Sequence, residues 1–346
     1  MVWSPQVRRL AREGGGERLV VGHRLVDEFL EFAASRARPN TVLAYARDLK
    51  AFFSVVAKEP VQVRPADVMA FVTAQRQPRR GTEKVVRISA RESGLSSSTI
   101  RRRLAAVSAF YGYLITRGDV GVETNPVPRG LPTRKSRCEV RGQPLVRAVR
   151  RLPRILDPEE LAALMAALRT DRDRAMVQAM ALGGLRRAEV IGLRLEDLHL
   201  GEWRVFVADG KGGHQRLVPV SPSFFATVAA YMNSERPANA PTERLFVVLK
   251  GPRRGQPLSL EGLDEIISGA RARAGMAHGT CHELRHTCLT RLREAGMSIE
   301  ALQAQARHRS IASTQVYLHL GSDWLAGEYR RAAEVIEAQA AMGLAR

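Results

Sequence analysis

The chain has 346 residues, 45% of them hydrophobic, enough for two domains with cores of their own. Its 54 Lys and Arg exceed 35 Asp and Glu by 19 charges, and its three cysteines are too few and too badly spaced for a disulfide framework or a zinc module. With no signal-like segment and no apolar run of about 18 residues, secretion and membrane insertion are set aside, and a cytoplasmic protein with a polyanionic partner is expected.

The charge is uneven. Residues 1–154 carry 30 Lys and Arg against 13 Asp and Glu, whereas 155–346 are nearly balanced at 24 against 22. A GC-rich genome would explain the total arginine content but not the asymmetry, so the first part is expected to supply most of a non-specific grip on phosphate.

After an extension over residues 1–20, Val26, Phe29, Leu30 and Ala33 recur at helical spacing. Pro39-Asn40-Thr41 then reads as a break and a cap before a second helix with Val42, Tyr45, Leu49, Phe52, Phe53 and Val56 on one face. A third begins near Pro65 and carries Val68, Phe71 and Val72. After a basic stretch at 76–93, Ser96-Ser97-Ser98 precedes a fourth helix with Ile100, Leu104, Val107, Tyr111 and Leu114 inward and Arg101, Arg102 and Arg103 in its first turn. Residues 21–120 therefore form a helical domain. Proline, glycine and basic residues including Arg134 and Lys135 mark 121–152 as a linker.

A second domain over 153–321 opens at Asp157-Pro158-Glu159-Glu160, an N-cap with proline at N1 and glutamate at N3. Trp203–Ala208 and Gln215–Val220 read as strands around a turn at Gly210-Lys211-Gly212, and most of the remainder reads as helix. In 322–346, Ser322-Asp323 can cap a last helix with Leu325, Tyr329, Ala332 and Ile336 in one stripe. The fold class is mainly α with a small antiparallel sheet.

Within this second domain stand Arg186 in Gly-Leu-Arg-Arg-Ala-Glu, Lys211 in the turn, His282 and Arg285 in His-Glu-Leu-Arg-His, His308, and Tyr317 nine positions later. Taken singly each is ordinary: a surface arginine, a hairpin lysine, a half-buried tyrosine. His282 and His286 at helical spacing could also suggest a metal, but no third ligand is evident and the His-Glu-x-x-His order is missing. Together they suit transfer at a phosphodiester. Arginine forks neutralise the growing phosphate charge. A phenol serves as nucleophile once its proton is taken, and a lysine with a depressed pKa can protonate the leaving oxygen.

The order and local contexts resemble the tyrosine recombinase family of phage integrases and Xer-type enzymes, over nearly the whole chain. Asn40–Leu49 and Ser98–Arg101 are similar to that family's core-binding, SAM-like domain. The resemblance implies a site-specific DNA recombinase that works through a 3′-phosphotyrosyl intermediate in integration, excision or resolution, without metal, ATP or other cofactor. By the same resemblance Arg186 and Arg285 clamp the phosphate, Lys211 protonates the 5′ oxygen, and His282 manages the tyrosine proton. His308 hydrogen-bonds the phosphate, Tyr317 is the nucleophile, and Glu189 orients an active-site group.

Double-stranded DNA is the implied partner, contacted by Arg47, Arg101, Arg102, Arg103, Arg134 and Lys135. The implied assembly is a homotetramer on paired sites, associated with the nucleoid, with the last helix docking on a neighbour. The short extension, with no room for an arm-binding domain, favours a Xer-like or simple element-borne recombinase. Two departures stand out: Arg307 replaces a usual glycine before His308, and Arg187-Ala188 replace the usual hydrophobic residue and serine. Neither removes a reacting group. A type IB topoisomerase shares the chemistry, but the core-binding strings favour the recombinase. A silent DNA-binding protein would need no nucleophile.

Overall fold

The computed structural model describes residues 3–11, 15–77, 94–128, 145–146, 154–208 and 215–306, and the chain divides into two compact units, 1–150 and 151–346. Among the described residues no helix is long and apolar enough to cross a membrane.

Among the described residues, four α-helices build the first unit: α1 (Arg24–Arg36), α2 (Pro39–Val56), α3 (Pro65–Arg76) and α4 (Ser97–Arg117). Most of the apolar positions expected from periodicity are covered, with Tyr45, Val56 and Val72 half-buried against the same core. Val26, Phe29, Leu30 and Ala33 of α1 meet Val42, Leu49, Phe52 and Phe53 of α2, Val68 and Phe71 of α3, and Ile100, Leu104, Val107, Tyr111 and Leu114 of α4. Aromatic rings meet edge to face at the centre, Phe52 at 5.1 Å from Phe53 and 5.0 Å from Phe71. The Tyr111 hydroxyl, carried into this core, donates to the Pro60 carbonyl at 2.9 Å.

Helix ends follow local chemistry. Ser96 caps α4 by accepting from the Thr99 N–H, and Gly118 ends it in the left-handed region. The start of α2 differs from expectation. Pro39 lies inside the helix at its first turn with Arg38 as N-cap, because a proline at N1 has no N–H to waste and its φ is already helical.

The extension is structured as well. Strands β1 (Arg8–Ala11) and β2 (Glu17–Val20) pair antiparallel, and Trp3 packs against His23 and Phe53. Val122, Val127, Leu145 and Val146 of the expected linker also pack against this core.

The second unit contains α5 (Pro158–Ala166), α6 (Asp171–Ala181), α7 (Arg187–Gly192), β3 (Leu198–His199), β4 (Arg204–Val207), β5 (Arg216–Pro219), α8 (Pro222–Ser234), α9 (Leu260–Arg273), α10 (Cys281–Glu294) and α11 (Ile299–Ala306). The expected capping box of α5 forms between Asp157 and Glu160. The sheet has the order β3-β4-β5, with Val205 opposite Val218 and Val207 opposite Arg216. Helix α6 is covered along most of its length, with Ala175, Met176, Val177, Ala179 and Met180 inaccessible. It therefore anchors the turn that follows it.

Phe52→Ala is expected to destabilise the protein by about 3–5 kcal/mol, the cost of an aromatic-sized cavity in a closed core. Chemical denaturation followed by circular dichroism checks this, and a loss below about 1 kcal/mol would mean that the four-helix core closes over the gap.

Candidate active site

A glycine turn delivers the first arginine. Beyond α6, the Gly184 N–H bonds to the Met180 carbonyl and the Leu185 N–H to the Ala179 carbonyl, with Gly184 at φ +67°. A Cβ on Gly183 would stand 2.9 Å from the Ala179 oxygen and from the Leu185 and Val220 side chains, so this close passage needs glycine. The turn ends on Arg186, the N-cap of α7.

Glu189, three residues on, accepts from the Arg186 backbone N–H at 2.9 Å and from Arg186 Nη1 at 2.9 Å. Its carboxylate is only 2% exposed and also receives both terminal nitrogens of Arg216, at 3.2 and 3.0 Å. Burial alone would raise the pKa of Glu189. The hydrogen bonds and charges of Arg216 and Arg186 outweigh it and hold the carboxyl below its ordinary value.

The second arginine comes from α10, which Thr280 and Glu283 begin with a reciprocal capping box. Arg285 is buried and donates to the carbonyls of Gly184 and Ala306. Arg186 Nη2 also reaches the Ala306 carbonyl, at 3.3 Å. Two guanidinium groups from separate helices thus meet at one oxygen of α11. The buried Gln305 beside it donates to Gly183 at 2.9 Å and Pro219 at 3.1 Å, tying α11 to the glycine turn and to β5.

His282 lies one turn before His286, and their Nε2 atoms are 2.8 Å apart. Partial burial, then the charges of Arg285 and Arg186, push the pKa of His282 below its ordinary value of 6.5. At neutral pH the ring is uncharged and can accept a proton. Cys281 and Cys288 are free and buried, and burial pushes both thiols up to about 12, so neither is a nucleophile at neutral pH. Among the described residues no three His, Cys, Asp or Glu side chains gather around a possible metal ion.

Arg186, Glu189, His282 and Arg285 are therefore brought together. Lys211, His308 and Tyr317 lie outside the described residues, as do Cys138, Arg134, Lys135, Arg307 and the tail from 322. Sequence reasoning missed Arg216. Its signal was phase: it shares the inward row of β5 with the buried Val218, where an arginine needs a partner.

The arginines expected to face DNA divide. Arg47 and Arg101 are exposed on α2 and α4. Arg102, 53% exposed at the side chain, is hydrogen-bonded to the buried Asp48. Arg103, at 15%, bonds Gln75 and lies 3.9 Å from Asp48. Burial raises the pKa of Asp48 against the opposing charges of these two arginines. Both thus help join α2 to α4, and Arg103 offers the least surface to an outside phosphate.

The phage integrase family model matches residues 154–323, and the model of the phage integrase N-terminal SAM-like domain matches 26–118. The tyrosine recombinase XerC of Xylella fastidiosa (strain M23) is 32% identical over 319 residues, covering 88% of this chain and 95% of its own. The XerD of Listeria monocytogenes (serotype 4b, strain F2365) is 27% identical, covering 86% and 94%. Among solved structures, the Tn1549 transposon integrase with transposon right end DNA matches at TM-score 0.66 and 18% identity, covering 90% of this chain and 98% of that one. The lambda integrase (residues 75–356) bound to DNA matches at 0.60 and 18%, covering 87% and 97%.

Glu189→Gln is expected to cost about 3–5 kcal/mol at pH 7, since it leaves two arginines around an uncharged amide. The folded-state pKa of Glu189 is depressed, so its contribution is complete above the ordinary value of 4.5 and is lost as pH falls through the lower folded value. Thermal unfolding of both proteins from pH 7 into acid should show the difference shrinking only below that ordinary value. A difference already gone at pH 6 would place the carboxylate's partners elsewhere.

With both of its domains matched in order and a relative at 32% identity across most of its length, this chain belongs to the phage integrase family and is a tyrosine-type site-specific recombinase.

Proposed function

We propose that the protein binds duplex DNA with both its basic helical unit and its catalytic unit, and exchanges strands through a bond to Tyr317. The reading is supported above all by the meeting of Arg186 and Arg285 at the Ala306 carbonyl, beside an uncharged His282. A scissile phosphate in place of that carbonyl would receive both forks. Its growing charge would then face fixed cations, which is the work such preorganised donors do best.

In the proposed step the Tyr317 oxygen attacks phosphorus while its proton passes to His282. The bond from phosphorus to the 5′ oxygen breaks, and Lys211 supplies the proton that this oxygen takes. His308 adds a hydrogen bond to the phosphate. A 5′ hydroxyl from a partner strand reverses the same steps. The phosphotyrosyl bond conserves the energy of the phosphodiester, so the exchange needs no ATP, and the cations occupy the part a metal would play.

Arg47, Arg101 and Arg102, with Arg134 and Lys135, belong to the phosphate grip of the first part, where the charge surplus lies. The assembly is read as a homotetramer on two sites. Residues 322–346 would dock on the neighbouring protomer in a head-to-tail contact that closes into a ring.

Incubated with sheared DNA of its own genome, in excess chelator and without ATP, the protein is expected to form a covalent adduct. The captured sequence then supplies a suicide duplex. Tyr317→Phe should abolish the adduct while retaining binding, since only the attacking oxygen is lost. An undiminished adduct would assign the nucleophile elsewhere. Arg285→Ala should slow cleavage about 100-fold or more, because its contribution grows toward the transition state.

Deleting residues 322–346 is expected to leave one-site binding intact and prevent the paired-site complex. Sedimentation with two-site DNA reads this, and a normal four-subunit assembly would mean that the tail packs on its own domain.

A further inference from the structure

Arg216 occupies an unusual position for a charge. It stands opposite Val207 in the last register pair of β4 and β5 before the Lys211 segment, and the next pair on the same face, Val205 and Val218, is inaccessible. Its side chain is 11% exposed. A cation in a core-facing row is tolerated only with a close partner, and Glu189 is that partner.

The contact is a two-pronged fork, both terminal nitrogens of Arg216 on the two Glu189 oxygens at 3.2 and 3.0 Å. Such a fork fixes orientation as well as distance, which a lysine in its place would not do. The same carboxylate holds Arg186 by side chain and backbone, each at 2.9 Å. One buried anion therefore joins the start of β5 to the turn that carries Arg186. A second tie lies at the other end of the strand, where Gln305 donates to Pro219 and Gly183. Strand β5 is thus held at one end against the element that bears Arg186 and at the other against α11.

We propose that Arg216 is a positioning residue for the reaction: through Glu189 it fixes the start of β5, five residues after Lys211, and so serves the delivery of the Lys211 proton to the leaving 5′ oxygen. The inference rests on the reading of Lys211 as the general acid. General acids act through a hydrogen bond of fixed length in the transition state, so a loosened start of β5 reduces proton delivery before it reduces DNA binding. Arg216 itself touches neither phosphate nor nucleophile in this account.

The test compares two versions of the captured suicide duplex, one with the ordinary 5′ oxygen at the scissile phosphate and one with sulfur in its place. A thiolate leaves without a proton, so the sulfur substrate has no need of a general acid. Lys211→Ala tests the underlying reading: slow on oxygen and restored on sulfur if Lys211 is the acid, equally slow on both if it is not. Given that result, Arg216→Gln is expected to slow single-turnover cleavage of the oxygen substrate about 10-fold or more relative to the sulfur substrate, a partial loss of the roughly 10²–10⁴-fold that a general acid contributes.

Both rates are read on one enzyme sample, so a loss of folded protein scales them together and leaves their ratio unchanged. Arg216→Lys keeps the charge against Glu189 and serves where the Gln variant does not fold, with the same selective loss on oxygen. A ratio equal to that of the unaltered protein would overturn the proposal. Arg216 would then serve folding or the phosphate clamp, without a part in proton delivery.

Discussion

The Glu189 carboxylate is the constraint on which the rest of the site depends. It is almost fully buried, it stays ionised, and its charge is balanced by two arginines from different elements. A buried carboxylate with one partner removed is costly, so the three side chains persist together or not at all. Their cost in desolvation gives a defined geometry: α7 is set against β5, and the guanidinium of Arg186 is held by its inner edge. Around this core the carbonyls of Gly184 and Ala306 and the amide of Gln305 complete a frame of backbone and side-chain hydrogen bonds. Hydrogen bonds within the protein thus fix these cations, the kind of arrangement that stabilises charge without reorganisation.

Much of this was legible in the sequence, for physical reasons that can be named. The helices of the first unit declare themselves because each buries one stripe, as Leu49, Phe52 and Phe53 do in α2. The starts of α4 and α5 are written in Ser96 and Asp157, whose side chains supply the missing acceptors. The candidate site residues stand in ordered, characteristic strings, and Arg186, His282 and Arg285 do come together. The structure adds how they are held, and partners such as the Ala306 carbonyl carry no sequence signature because every residue has a carbonyl.

Other features escaped for equally physical reasons. Strands β1 and β2 have four residues each, and β1 is exposed at every position, so no alternation marks it. Strand β3 has two residues, too few for any pattern. Arg102 and Arg103 look in sequence like free cations at a helix start. Their partner Asp48 lies on another helix, a distant pairing that local reading does not reach. Arg216 was concealed by composition, one arginine among many, although its phase with Val218 set it apart.

Coupling between Glu189 and Arg216 is the most direct measure of this account. Single-turnover cleavage of the captured duplex by Glu189→Gln, Arg216→Gln and the double variant gives a double-mutant cycle. The shared-carboxylate account predicts strong non-additivity, a coupling of about 1–3 kcal/mol, because the double variant leaves no buried charge of this pair unmatched. Losses that simply multiply would show that the two residues act independently, and would contradict the claim that one buried anion organises the site.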